Sequence, residues 1–261
     1  MHRKRHLYLI RLQYLGFRYS GWQIQPGQKT VEAMVSKTLK FVLPDGKTKI
    51  LSASRTDSKV SALDMAFELF LEGDPIADTD IFLETLNINL PPDIRALSVK
   101  EVNAAFNIIK DAKLKEYAYL FSFGEKNHPF CAPFLANILE QLDIEMMQTA
   151  AKLFEGTNDF STYTAKLQEK TKTTRTIISC DLKDNELLKA NFFPTKSYAL
   201  YVKGEGFMRY QIRMIMGALI QLGKGELTIA DIQYSLKEDN NLELTFVAPA
   251  SGLLLHRLDF Q

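Results

Sequence analysis

The sequence of 261 residues predicts an α+β protein built from two halves, residues 1–105 and 106–261. The first half follows the order strand, helix, strand, strand, helix, strand, which is typical of a ferredoxin-like or split βαβ unit. The second half repeats this rhythm with longer connections. Because no low-complexity segment or long linker separates the halves, two halves with joined, mixed and mainly antiparallel sheets are the simplest architecture.

Local signals predict each element of the first half. A run rich in aromatic and branched residues, 7–14, predicts the first strand, which the stretch from Gly16 to Gly21 breaks. Thr30 predicts the N-cap of a helix that ends before Pro44. The later predictions are strands at 49–52 and 66–71, a helix that opens at Thr79 or Asp80, and a strand at 96–99.

The second half contains helix and strand periods of the same kind. Its longest helical pattern runs from Arg209 to Leu222 and is ended by Gly223 and Gly225. The other predicted elements are strands at 115–121, 177–182, 198–202, 242–247 and 253–260, and helices at 144–154 and 228–236.

Composition excludes several classes of protein. A hydrophobic fraction of 46% and a charged fraction of 24% are those of a globular chain, and no apolar run has the length of a membrane span. Cys131 and Cys180 form no paired ligand motif, so we expect buried thiols in the cytoplasm and no metal site. The net charge is only +1, so RNA binding has to rest on where the cations lie.

The stretch from Ser52 to Val60 contains the candidate nucleophile, Asp57. Arg55 and Lys59 stand two residues to either side, and their charges favour an ionised carboxylate. The stretch joins two predicted strands, a common location for functional groups. Local composition alone favours a surface turn in which polar side chains bond their own backbone.

Two segments carry cations or amides suited to RNA. Arg18, Trp22 and Gln23 mix a cation, an aromatic ring and an amide, a combination suited to stacked bases and phosphates, although it also occurs in packed loops. The most basic internal stretch, 166–175, includes Lys172 and Arg175. It lacks helical periodicity and is read as a loop that either contacts RNA or is simply solvated.

Arg209 and Arg213 occupy the first turns of the predicted helix 209–222, where the helix dipole disfavours cations. An anion nearby, such as Asp57, an RNA phosphate or another carboxylate, would relieve this cost. Tyr117 and Tyr119 fall on one face of their predicted strand, where tyrosines most often fill the core. The four histidines show no ligand spacing.

Ordered motifs along nearly the whole chain resemble the TruA family of tRNA pseudouridine synthases. In the first half they are Tyr19-Ser20-Gly21-Trp22-Gln23, Arg55-Thr56-Asp57 and Leu90-Pro91-Pro92-Asp93-Ile94-Arg95. In the second half they are Lys115-Glu116-Tyr117-Ala118-Tyr119, Gly156-Thr157-Asn158-Asp159-Phe160, Gly206-Phe207-Met208-Arg209-Tyr210-Gln211-Ile212-Arg213 and Ala248-Pro249-Ala250-Ser251-Gly252-Leu253. Each motif is weak by itself, and their joint order is specific.

The resemblance implies roles for four residues. Asp57 matches the essential aspartate, Arg55 the neighbouring arginine that helps displace the target base, Tyr117 the active-site tyrosine and Arg213 the cation paired with the aspartate. It implies two ferredoxin-like halves that share an extended sheet with a central cleft. It also implies a homodimer that acts on tRNA, isomerises uridine in the anticodon stem-loop and needs no cofactor.

The chain departs from the family pattern next to Asp57. The family usually has glycine where this chain has Ser54 and Lys59. Lys59 removes freedom at positive φ and adds a long cation beside the candidate nucleophile. An RNA-binding protein without catalysis, an enzyme for a different RNA and a structural dimer therefore stand as alternatives to the tRNA enzyme.

Overall fold

The computed structural model describes residues 5–165 and 171–260, and its fold class is α+β. Two compact units divide the chain. One comprises Met1–Lys113 together with Leu255–Gln261, and the other comprises Leu114–Leu254. The described residues include ten strands and six α-helices.

The first unit has the predicted order of strands and helices. Its β1 and β4 lie next to each other, β3 pairs with the other side of β1, and β2 pairs with β3, all antiparallel. The elements are β1 Arg5–Tyr14, α1 Val31–Val42, β2 Lys47–Ser52, β3 Ser61–Glu72, α2 Thr79–Asn89 and β4 Ile94–Val102.

Local chemistry explains where these helices begin. The Thr30 hydroxyl accepts a hydrogen bond from the Ala33 N–H, which confirms the predicted N-cap of α1. The Asp78 carboxylate accepts from the N–H groups of Asp80 and Ile81, so α2 begins one residue after this cap. Each cap satisfies donors that the first turn of a helix leaves without a backbone partner.

The strand β1 alternates between two faces. One face is fully apolar and buried, with the side chains Tyr8, Ile10, Leu12 and Tyr14. On the other face Arg11 forms two hydrogen bonds with Asp64, of 2.8 and 2.5 Å, and donates a third to the Leu258 carbonyl. The Leu258 N–H donates to Asp64 in turn, so these two charged groups hold the C-terminal strand.

The chain continues through a short helix, α3 Ile108–Asp111, into the second unit. There β5, β9, β8 and β7 pair antiparallel in that order, and β6 pairs parallel to β5, so the sheet is mixed. The elements are β5 Ala112–Phe123, β6 Ala136–Ile138, α4 Ile144–Ala151, β7 Gly156–Asp159, β8 Thr174–Asp184, β9 Tyr198–Gly204, α5 Gln211–Gly223 and α6 Ile229–Ser235. The last strand, β10 Leu253–Phe260, belongs to the first unit from Leu255 onward.

Two predictions for the second half are wrong. Residues 242–247 form no strand, although their alternating apolar residues are typical of one. This segment runs against α5 instead, where a Cβ on Gly217 would lie 2.1 Å from the Phe246 carbonyl oxygen. The helix predicted from Arg209 begins at Gln211, because Tyr210 takes a left-handed backbone with φ of 65° and serves as the N-cap.

Cys131 and Cys180 are both free and buried, which confirms the prediction of buried thiols. Burial raises the pKa of both thiols. Within the described ranges, no helix has the length and apolar character needed to cross a membrane.

Candidate active site

The Asp57 segment is a tight turn held by the loop that follows β1. The Val60 N–H donates to the Asp57 carbonyl at 3.1 Å and closes the turn. The Trp22 N–H donates to the Thr56 carbonyl and the Lys59 N–H donates to the Tyr19 carbonyl, each at 3.0 Å. These bonds join backbone to backbone and fix the main chain at Asp57, which is half-buried.

Two glycines allow the loop and the turn to come this close. A Cβ on Gly16 would lie 1.9 Å from the Val60 carbonyl oxygen. A Cβ on Gly21, whose φ is +92°, would lie 2.7 Å from the Thr56 carbonyl oxygen and 3.1 Å from the carbonyl carbon of Asp57. Any larger residue at either position would have to push the Asp57 turn away.

Lys59 occupies the left-handed region of the backbone, with φ of 66°. This is the conformation for which glycine is best suited, and for other residues it costs about 1–2 kcal/mol. The sequence predicted that lysine at this position would restrict the backbone at positive φ, and Lys59 does adopt a positive φ in the structure. Its side chain is exposed, and its ammonium nitrogen lies 5.9 Å from the centre of the Phe17 ring.

The Asp93 carboxylate holds the loop after β1 through hydrogen bonds to two of its side chains. Asp93 accepts two hydrogen bonds from Arg18, at 2.9 and 2.7 Å, and one from the Tyr19 hydroxyl at 2.6 Å. Burial opposes ionisation of Asp93, but these hydrogen bonds outweigh it and hold the pKa of the carboxyl below its usual value. The hydrogen bonds of the Arg18 side chain are therefore those to Asp93, which hold the loop in place.

Trp22 lies in the hydrophobic core, and its side chain is 1% exposed. Its ring packs against Tyr14 and Phe67, with centroid distances of 6.1 and 6.3 Å. A ring enclosed in this way has no free face for a base, so the prediction that Trp22 contacts RNA is corrected. The backbone N–H of Trp22, which donates to the Thr56 carbonyl, helps to hold the Asp57 turn.

In the second unit, Tyr117 and Tyr119 lie on the same face of β5, as predicted. Tyr119 is fully buried and donates its hydroxyl proton to the Pro249 carbonyl at 2.8 Å, and burial raises the pKa of its hydroxyl. Tyr117 is 8% exposed and packs edge-on against Phe207, with 5.5 Å between ring centroids. Tyr119 therefore has the role of a core tyrosine, which leaves Tyr117 as the candidate for chemistry.

Arg213 lies in the first turn of α5, and three contacts orient it. Its Nε donates to the Ala248 carbonyl at 2.7 Å, and its own carbonyl accepts from the Ala248 N–H at 3.1 Å. Its guanidinium carbon lies 4.8 Å from the centre of the Tyr210 ring. Arg209 precedes the helix and stacks on the same ring at 5.1 Å, so the two arginines share an aromatic ring and not a helix face.

The structure places the other predicted residues at the surface. Arg55, Gln23 and Lys172 are exposed, and Arg175 is half-buried in β8, where it donates to the Thr174 carbonyl at 3.1 Å. The first five residues of the predicted basic loop, 166–170, lie outside the described residues.

Sequence reasoning missed two residues of these segments. Tyr210 was passed over because nothing in a single sequence marks a tyrosine as left-handed. Phe207 was read only as part of a motif, yet its ring packs against Tyr117 and fills the space left by Gly204, where a Cβ would lie 3.1 Å from it. The sequence signal for this packing was Gly204 followed three residues later by the aromatic Phe207.

Comparison with known proteins defines the class. Residues 150–261 match the family model described as "tRNA pseudouridine synthase". The chain is 30% identical to "tRNA pseudouridine synthase A" of Thermodesulfovibrio yellowstonii, over 95% of this chain and 96% of that protein. It is also 30% identical to the protein of the same name from Aquifex aeolicus, over 96% of this chain and 98% of that one.

A third relative, "tRNA pseudouridine synthase A" of Shouchella clausii, is 28% identical over 96% of this chain and 92% of its own length. These similarities extend over both units and include both candidate segments. The chain belongs to the TruA family of tRNA pseudouridine synthases, which are isomerases.

Proposed function

We propose that this protein converts uridine to pseudouridine in the anticodon stem-loop of tRNA, with Asp57 as the nucleophile. Its similarity over nearly the whole chain to proteins named tRNA pseudouridine synthase A carries the proposal. The fixed turn at Asp57 supports it, because a nucleophile has to be held in one place while the substrate moves.

The first step takes the target uridine out of its stack, at a cost of a few kcal/mol. Arg55, exposed and two residues before Asp57, is proposed to help displace the base. Asp57 then attacks either C1′ of the ribose, which breaks the glycosidic bond, or C6 of the base. Arg213 is proposed to pair with Asp57 and to keep its carboxylate ionised.

In the second step the base turns and C5 forms a bond to C1′ of the ribose. The bond that Asp57 made breaks and returns the carboxylate, and N1, which has lost the ribose, takes up a proton. The proton on C5 then has to leave, and we assign its removal to Tyr117, directly or through water. Substrate and product have the same composition and oxidation state, so the reaction as proposed uses no cofactor.

The RNA-binding surface is proposed to include Gln23, Lys59, Lys172 and Arg209, which are exposed, together with Arg175 and the exposed side of Arg18. Their cations would neutralise phosphates, which supplies most of the sequence-independent affinity for RNA. Because the net charge is only +1, binding is expected to depend on this local grouping.

The finer architecture is also part of the proposal. We propose two ferredoxin-like halves, residues 1–105 with Asp57 and residues 106–261 with Tyr117 and Arg213, that share an extended sheet and a cleft. The strand order around β1 and β3 supports this for the first half. We further propose a cytoplasmic homodimer, in keeping with the family resemblance.

The function is tested with pure protein and unmodified tRNA that carries tritium at C5 of uridine. Release of the label, together with pseudouridine mapped in the anticodon stem-loop, supports the proposal. Tight binding without release would instead support an RNA-binding protein that lacks catalysis, and no binding at low salt would support a structural role.

A further inference from the structure

Lys59 stands in a conformation that costs the protein stability. Of the described residues other than glycine, three have a positive φ, and Lys59 is one of them. Lysine gains nothing from this conformation, unlike asparagine or aspartate, whose short side chains form local hydrogen bonds there. A strained residue beside a candidate nucleophile points to a functional reason for its presence.

The ammonium group of Lys59 is held in place without a protein anion. Among the residues that the structure describes, no ion pair involves it, and its ammonium rests above the Phe17 ring. Phe17 is itself fixed, because Gly16 beside it packs directly on the Val60 backbone. An exposed cation supported by an aromatic ring loses less side-chain entropy when it binds an external anion.

The position of Lys59 limits which anion this can be. Its Cα is at most about 7 Å from that of Asp57, since two residues span no more than this. The Lys59 N–H donates to the Tyr19 carbonyl, which fixes the backbone position from which the side chain extends. An anion that binds the Lys59 ammonium is therefore expected near the group that Asp57 attacks.

We propose that Lys59 binds the backbone phosphate of the reacting nucleotide or of its immediate neighbour, and that this contact is retained at the expense of stability. The inference rests on the proposed function for the identity of the RNA. It makes Lys59 a substrate-positioning residue.

The test compares four variants of the full chain with the wild type. Lys59→Gln removes the charge and keeps the strain, Lys59→Gly removes both, and Lys59→Arg keeps both. Lys37→Gln removes an exposed charge from the middle of α1 and is the matched control. Binding of unmodified tRNA is measured over a range of salt concentrations, and label release and Tm are measured on the same preparations.

We expect the dissociation constant to rise about three- to tenfold in Lys59→Gln and Lys59→Gly, and the salt slope to fall by about 0.7–0.9, the loss of one phosphate contact. Lys59→Arg and Lys37→Gln should bind like the wild type. Lys59→Gly should also melt about 1–3 °C higher, because glycine relieves the strain, whereas Lys59→Gln should not.

Wild-type affinity and salt slope in Lys59→Gln would overturn the inference, even if the wild type releases the label normally. A wild type that binds tRNA but releases no label would overturn the proposed function, and the binding comparison would still decide the role of Lys59. The two failures are thus distinguishable.

Discussion

Lys59 and Tyr210 are non-glycine residues with left-handed backbones, and each lies in a segment proposed to carry the chemistry. Lys59 follows Asp57 by two residues, and Tyr210 precedes Arg213 by three. Glycine or asparagine would fit these backbones with less strain, but would supply neither the ammonium group of Lys59 nor the ring of Tyr210. Two of the three described residues other than glycine that have a positive φ therefore lie in the proposed site segments, and the third is Asp239.

Tyr210 is expected to position Arg213 through its ring. Tyr210→Asn tolerates the left-handed backbone but removes the ring from both arginines, whereas Tyr210→Phe keeps the ring. A lost cation–π contact is worth about 0.5–2 kcal/mol, so kcat should fall about three- to tenfold in Tyr210→Asn and stay near wild type in Tyr210→Phe. Steady-state kinetics and Tm decide this, and a wild-type kcat in Tyr210→Asn would refute it.

Asp93 should make part of the stability depend on pH. Its carboxyl has a lowered pKa in the folded state, so its contribution is complete above the usual value of 3.8 and is lost as the pH falls through the lower folded-state value. Asp93→Asn should lower the free energy of unfolding by about 1–3 kcal/mol at pH 7, and this difference from the wild type should shrink in acid.

Urea unfolding between pH 2 and 7 measures this effect. Asp74→Asn is the control, because Asp74 is exposed and takes no part in the hydrogen bonds of Asp93. A constant difference between Asp93→Asn and the wild type over the whole pH range would contradict the assignment.

At the scale of elements, the loop after β1 and the turn at Asp57 form one structure although about forty residues separate them. Gly16 and Gly21 allow the close approach, and two backbone hydrogen bonds join the loop to the turn. The sequence shows both glycines and predicts a break in the strand, but pairing of distant loops depends on tertiary contacts that no local pattern encodes.

Gly21→Ala and Gly27→Ala form a matched pair that tests this structure. Both glycines have a positive φ, but only Gly21 faces the Asp57 turn, and nothing lies within 4 Å of a Cβ on Gly27. Gly27→Ala should cost about 1 kcal/mol of stability and keep activity. Gly21→Ala should cost about 2–4 kcal/mol and lose most of its turnover, because the turn has to move.

Unfolding free energies and label release distinguish the two variants. If Gly21→Ala kept wild-type turnover at a temperature where it is folded, the loop would not determine the position of Asp57.

The elements that sequence predicted well are those set by local chemistry. The α1 helix and its Thr30 cap follow from a hydroxyl, a helical period and a proline downstream. The prediction failed at 242–247 because this segment packs against α5, where a Cβ on Gly217 would lie 2.1 Å from the Phe246 carbonyl oxygen. It failed at Arg209 because the left-handed backbone of Tyr210 delays the start of the helix.

At the scale of the whole molecule, the candidate residues come from distant parts of the chain. Ordered motifs, and not periodicity, predict Asp57, Tyr117 and Arg213 as site residues. For this reason the resemblance identifies Asp57, whereas local composition favours a simple turn there. Trp22 was misjudged for the opposite reason, because a motif does not reveal which of its members are buried.

The central claim is that Asp57 is the nucleophile, and release of tritium from C5 of uridine in unmodified tRNA by Asp57→Ala and Asp57→Asn tests it most directly. Both variants should fold, bind tRNA within about threefold of the wild type and release label at least about a thousandfold more slowly. Release at the wild-type rate by either pure variant would contradict the claim.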